Sequence, residues 1–217
     1  MLCLKENRIL IVVALIVPVF IFYCDERIMT WVRYFHAAYP DIDRILRAAD
    51  RVMYYAAHGT TMIAGALLFW LYARFFNRGF YAAGRSLLVG LVVSGLSVQI
   101  IKHLVGRARP RVTDSLVIIG PSIKGSYDSF PSGHSAMAFC LAAVLEHYYP
   151  KYRIAFYVFA VLEGLARIDG TSHFPGDVLA GALFGILTAR LIQCVLERCS
   201  RPISCSDYMN LDKSDLH

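Results

Sequence analysis

Three short blocks decide how this chain is read: Lys102-His103-Leu104-Val105-Gly106-Arg107-Ala108-Arg109-Pro110 at 102–110, Pro131-Ser132-Gly133-His134 at 131–134, and ARIDGTSHFPGD at 166–177. Each stands at the end of an apolar run. Together they carry a lysine, several arginines, two well-placed histidines and an aspartate in an otherwise greasy chain. Fixed cations suit an anion with several oxygens, and two histidines suit a nucleophile and a proton donor. A phosphoryl group calls for both kinds of help.

Outward from those blocks, composition points to the bilayer. Of 217 residues, 57% are hydrophobic and 18% charged, where soluble domains are usually about half apolar and about a quarter charged. The length suits one domain, here a single bundle over 1–217 with the blocks at 102–177. A net charge of +6 could suggest nucleic acid. The basic residues, however, lie in short clusters between apolar runs, as in cytoplasmic loops of membrane proteins. The six cysteines show no disulfide framework and no CxxC pair; buried or cytoplasm-facing thiols fit their positions.

Read in order, Lys5 and Arg8 precede an apolar run from Ile9 to Tyr23 that ends without a small-residue cleavage site, so an uncleaved helix is expected. Residues 25–51 mix acids and bases with interleaved apolar side chains; an amphipathic interfacial helix and a plain solvated loop both fit. Further runs cover Val52–Ala73, Ser86–Ile101, His134–Leu145, Ile154–Ala166 and Val178–Leu196. Several are shorter than the roughly 20 residues a span needs.

Parity supports the expectation of an all-α, polytopic bundle of six transmembrane helices. With alternating helices, the basic, acid-free loops at 74–85 and 151–153 share a face with both termini. The positive-inside tendency makes that face cytoplasmic. The segments 25–51, 102–133 and 167–177 then meet on the outer face.

Each block has a bland and a functional reading. Lys102 and Arg109 could snorkel to headgroups or clamp a phosphate, Arg as a fork and Lys as a point charge. Arg107 and Arg111 read as surface or headgroup contacts. Ser132 suits a helix N-cap, and Gly133 lets a ligand approach backbone N–H groups at the positive end of a helix dipole. His134 there could be a general acid or a merely solvated interfacial side chain. His173 and Asp177 are spaced i, i+4, so a carboxylate could hold one ring nitrogen and leave the other as nucleophile. A metal is the lesser alternative, because nearby fixed cations repel one. Glu163, an acid at membrane depth, is expected to pair with Arg167 four residues on. His36, His58, His103 and His147 have no visible partners.

These blocks resemble the signature of the type 2 phosphatidic acid phosphatase superfamily: Lys-x6-Arg-Pro, then Pro-Ser-Gly-His, then Ser-Arg-x5-His-x3-Asp, in that order. One position departs, since Ala166 stands where the family usually has serine, a supporting residue. The resemblance implies that His173 attacks phosphorus to form a phosphohistidine, oriented by Asp177, and that His134 protonates the leaving oxygen. Lys102, Arg109, Arg167, Ser132 and Gly133 would hold the phosphoryl oxygens, with no metal and no cofactor.

The implied activity is a metal-independent membrane lipid phosphatase. Its substrate would be a phospholipid or glycolipid of the bilayer: a lipid A phosphate, phosphatidylglycerol phosphate, phosphatidic acid or polyisoprenyl diphosphate. The short loops and compact size suggest a bacterial inner membrane protein with its site toward the periplasm and no obligate protein partner. Three alternatives share the signature. A lipid-to-lipid phosphotransferase would use the same intermediate, a vanadium-dependent haloperoxidase would put vanadate in the anion site, and a non-catalytic membrane protein could merely retain that site.

Overall fold

The computed structural model describes residues 8–200. Within them the chain is helical: α1 Arg8–Val19, α2 Asp25–Ala38, α3 Pro40–Ala56, α4 Gly59–Phe75, α5 Tyr81–Val105, α6 Gly133–Tyr148, α7 Arg153–Asp169 and α8 Pro175–Ser200. The cytoplasmic placement expected for the termini, Lys5 and the thiols of Cys3 and Cys205 lie outside the described residues. Cys24, Cys140, Cys194 and Cys199 are free thiols.

The apolar first run forms α1 and passes through a π turn, Phe20–Cys24, directly into α2. Pro18 lies just before that turn; it brings no N–H to the helix ladder, which loosens the winding there. The mixed-charge segment 25–51 is helical rather than a solvated loop. Tyr39-Pro40 divides it into α2 and α3, as expected where the residue before proline leaves the helical region.

The expected run Val52–Ala73 is not one helix. Its first residues belong to α3, and the chain then bends by 47° into α4. His58 stands extended at the break, ahead of Gly59, and its Nδ1 lies 2.8 Å from Thr60 Oγ1. Among the described residues, two helices are long and apolar enough to cross a membrane, Arg78–Val105 and Pro175–Cys199, or three spans if the bent pair counts as one.

α6 sits at the centre, with α5, α7 and α8 packed around it. Small residues make this close approach feasible: Ala136, Ala138, Ala142 and Ala143 on α6 are all buried. A Cβ added to Gly181 or Gly185 of α8 would strike the backbone of α6 at Ser132 or Ala136. The main core joins Met62, Leu87, Leu91, Met137, Cys140 and Val144. Outward-facing positions are apolar too, with Leu96, Ile100, Leu104, Leu165 and Leu191 exposed. That is the surface a lipid-facing bundle presents.

Candidate active site

Loop geometry brings the blocks together. α5 ends at Gly106, whose φ of 63° is left-handed; a Cβ there would also collide with the Gly120 carbonyl. Glycine is therefore required twice over. From Gly106 the loop folds on itself: Ala108 N–H donates to Val117 O at 2.9 Å, Arg109 N–H to Ser126 O at 3.0 Å, and Ser129 N–H to Arg107 O at 3.0 Å. The loop thus carries Arg107, Arg109, Asp128 and Ser129 to the start of α6.

Ser132 caps α6, its hydroxyl accepting from Ser135 N–H at 3.4 Å. Its own N–H donates to Asp177 O at 3.0 Å, tying the second block to the third. The N-cap expectation holds. Ser132 itself is wholly buried and is not among the residues lining the cavity described below. Gly133 does line that cavity. A Cβ on it would stand 3.8 Å from Lys102 Nζ, so the missing side chain keeps space open beside the ammonium.

The third block turns tightly after α7. Ser172 and His173 N–H both donate to Arg167 O, at 3.1 and 3.2 Å, which returns His173 toward its own block. His173 is 2% exposed, and its Nδ1 lies 2.8 Å from the Ser129 carbonyl oxygen. A carbonyl can only accept, so Nδ1 carries the proton and Nε2 keeps its lone pair. Burial, then the charges of Lys102, Arg109 and His134, hold the His173 pKa well below the usual histidine range, against the opposing bond from Ser129. Both effects favour the neutral imidazole, with the Nε2 lone pair free.

Asp177 corrects the expectation from i, i+4 spacing. It does not grip His173 directly. Oδ1 accepts from Arg107 Nη1 at 2.5 Å, while Oδ2 accepts from Ser129 Oγ at 2.6 Å and Phe174 N–H at 3.0 Å. Proline at 175 starts α8, so Asp177 folds back onto backbone flanking the histidine, and the two share Ser129: Asp177 accepts from its hydroxyl while His173 Nδ1 donates to its carbonyl oxygen. Arg107 is no headgroup contact either: it is 2% exposed, bridges Asp177 to Asp25 Oδ2 at 2.8 Å, and stacks on Phe174 at 4.3 Å. Arg111 is exposed, as expected, and donates to Ser172 Oγ at 2.5 Å.

A cavity of about 570 Å³ opens at this end, lined by Lys102, Arg109, Arg111, Gly133, His134, Arg167 and His173. His134 Nε2 is buried in it with no hydrogen-bond partner among the described residues. Arg109 is docked two-pronged on Asp128, Nε to Oδ1 and Nη2 to Oδ2, both 2.7 Å. Burial would raise the Asp128 pKa, but Arg109 and then Lys102 hold it below the usual carboxylate range. Arg167 Nε lies 3.1 Å from Glu163 Oε1, the pair expected from their spacing, at a distance suited to charge attraction though not aligned as a hydrogen bond. Its Nη2 donates to Asp50 Oδ1 at 2.5 Å. Among the described residues no group of three or more His, Cys, Asp or Glu side chains converges as metal ligands would.

Besides Asp128, two ring-bearing residues of the site escaped the sequence reading. His58 lines the cavity, its ring 5.9 Å from that of His134, and Tyr54 lies 5.1 Å from His134. Neither belongs to a polar block, so no spacing pointed to them. His36, also thought partnerless, lies 3.0 Å from Asp169 Oδ1.

This convergence agrees with sequence comparison, in which the profile of the PAP2 superfamily matches residues 83–201. The chain belongs to the PAP2 superfamily. Curated relatives of this PAP2 chain include a lipid A 1-phosphatase of Rhizobium johnstonii, 35% identical over 119 residues, 54% of this chain and 49% of that one. Another, a phosphatidylglycerophosphatase B of Bacillus subtilis, is 31% identical over 114 residues, 48% of this chain and 53% of that one. The chain thus spans about half the length of these relatives. Among solved structures, a transmembrane PAP2-type phosphatidylglycerolphosphate phosphatase from Bacillus subtilis shares the fold. Its TM-score is 0.65 at 24% identity, covering 88% of this PAP2 chain and 96% of that one.

Proposed function

We propose that this chain is a membrane lipid phosphatase that works through a phosphohistidine without a metal. The observation that carries the reading is the single cavity shared by Lys102, Arg109, Arg167, His134 and His173. In the first step His173 Nε2 forms a bond to phosphorus as the bond to the leaving oxygen breaks. His134 Nε2 gives that oxygen its proton. In the second step water attacks phosphorus, His134 takes a proton from it, and the P–N bond breaks to restore the imidazole and release phosphate. Lys102, Arg109, Arg167 and the N–H groups opening α6 at Gly133 offset the charge on the phosphoryl oxygens.

The substrate is a lipid bearing a phosphomonoester at the bilayer surface, with the 1-phosphate of lipid A as the first candidate. The names of the relatives at 35% identity support that choice. The cavity supports a lipid, since Ile63, Val92 and Leu96 of α4 and α5 form an apolar wall beside its polar end. An acyl chain could enter there laterally. A six-span bundle with the site toward the periplasm fits the basic loops at 74–85 and 151–153.

The test is phosphate release by purified, detergent-solubilised protein with EDTA present, across lipid A, phosphatidylglycerol phosphate, phosphatidic acid and polyisoprenyl diphosphate. The expected result is release from lipid A that His173→Ala abolishes. Release that survives His173→Ala, or vanishes with EDTA, overturns the mechanism. Phosphate appearing only on a second added lipid would point to a transferase instead.

A further inference from the structure

Two of the arginines lining the cavity, Arg109 and Arg167, are held by carboxylates that no signature block contains. Asp128 takes Nε and Nη2 of Arg109 along one edge of the guanidinium, two bonds of 2.7 Å. Asp50 holds Arg167 from another helix, through Nη2 alone. Its Oδ1 and its backbone oxygen accept from Nη2 at 2.5 and 3.2 Å. A guanidinium has five N–H donors in a fixed plane. With Nε and Nη2 of Arg109 engaged by Asp128 and Nη2 of Arg167 engaged by Asp50, Nη1 of each arginine, and Nε of Arg167, make no hydrogen bond to these carboxylates.

We infer that Asp50 and Asp128 are positioning residues of the anion site, each fixing one arginine so that its remaining N–H groups face a bound phosphoryl group. The assignment rests on the phosphatase reading for its substrate but not for its geometry. Two physical consequences follow. A long side chain that would otherwise sample several rotamers is held in one before the anion arrives, so binding loses less freedom. The two carboxylates also offset two of the four fixed cationic charges that line the cavity, so the empty cavity does not hold its product as an uncompensated cluster would. Asp50 adds a link in the fold, because it ties α3, a helix outside the signature, to the last turn of α7.

The experiment measures binding of orthovanadate, a phosphate mimic, to the detergent-solubilised protein by calorimetry, alongside KM and kcat for lipid phosphate. Variants are Asp128→Asn, Asp128→Glu, Asp50→Asn and Arg109→Ala, each also checked for folding by thermal unfolding. Asp128→Asn and Asp50→Asn are near-isosteric, so they should remain folded. Each should weaken vanadate binding and raise KM about tenfold, with Asp128→Glu recovering part of the loss. Adding Asp128→Asn to Arg109→Ala should cost nothing more, because the two act as one unit. Unchanged vanadate affinity in folded variants, or full additivity with Arg109→Ala, overturns the inference. If the wild type binds vanadate but releases no phosphate from any lipid, the phosphatase reading fails while the vanadate comparison still decides the roles of Asp50 and Asp128.

Discussion

Arg107 Nη1 stands 2.5 Å from Asp177 Oδ1, with Arg107 2% and Asp177 0% exposed. The same guanidinium holds Asp25, and Asp25 Oδ1 accepts the Gly176 N–H at 2.7 Å. One arginine therefore ties the loop after α5, the start of α2 and the start of α8 into a single knot beneath His173.

Removing that arginine leaves two buried carboxylates facing each other without a counter-charge. Breaking a buried pair from one side costs about 3–5 kcal/mol. Arg107→Ala should therefore lower the melting temperature sharply, and Arg107→Lys should not rescue it, since one ammonium cannot span both carboxylates as the fork does. Thermal unfolding of the solubilised protein measures this. A melting temperature equal to wild type would show that the knot contributes nothing to stability.

The state of His173 can be observed directly. Burial and the neighbouring cations penalise the imidazolium, so the neutral form should persist as pH falls past about 6.5, the ordinary histidine value. Nitrogen-15 spectra of histidine-labelled protein, assigned by difference against His173→Ala, should show an Nδ1–H tautomer that does not titrate near that pH. Protonation centred near the ordinary value, or an Nε2–H tautomer, would remove the nucleophile as drawn.

Much of this site was legible in the sequence because signature spacing encodes proximity at helix ends. Lys102, Gly133, His134, Arg167 and His173 do share one cavity, and Glu163 does sit beside Arg167. What escaped depended on where the backbone turns. The i, i+4 spacing of His173 and Asp177 suggested a direct contact, but proline at 175 starts a new helix between them and turns the carboxylate onto Ser129. Arg107 read as a surface residue because its partners, Asp25 and Asp177, are 82 and 70 residues away in the chain. Tyr54 and His58 sit at a helix break inside an apolar run, where hydropathy hides the bend.

His58 gives a third prediction. Its ring borders that of His134, the residue that protonates the leaving oxygen in the proposed mechanism. His58→Ala should lower kcat/KM for the lipid about threefold to tenfold, the scale of a lost side-chain contact. Orthovanadate affinity should be unchanged. Equal losses in both measurements would instead make His58 part of the anion site.

The packing of α8 on α6 gives the last. A Cβ on Gly181 would meet the Ser132 carbonyl oxygen and come within 3.3 Å of Ala136 N, while one on Gly185 would come within 2.9 Å of Cys140 N. The obstacles are backbone atoms, so no side-chain rotation relieves them and the helices must part. Overpacking of this kind costs about 1–3 kcal/mol, and both Gly181→Ala and Gly185→Ala should lose stability on that scale. Their effects on catalysis should differ. Gly181 presses on Ser132, one residue before Gly133, so its displacement moves the start of α6 and His134 with it; Gly185 presses a full turn deeper. Gly181→Ala should therefore lower kcat well beyond Gly185→Ala at a similar melting temperature. Gly65, with no atom within 4 Å of its added Cβ, is the control. In mid-helix, alanine is favoured over glycine by about 1 kcal/mol, so Gly65→Ala should be neutral or stabilising. Equal kcat for the Gly181 and Gly185 variants would mean that the start of α6 is held by the loop before it and not by its contact with α8.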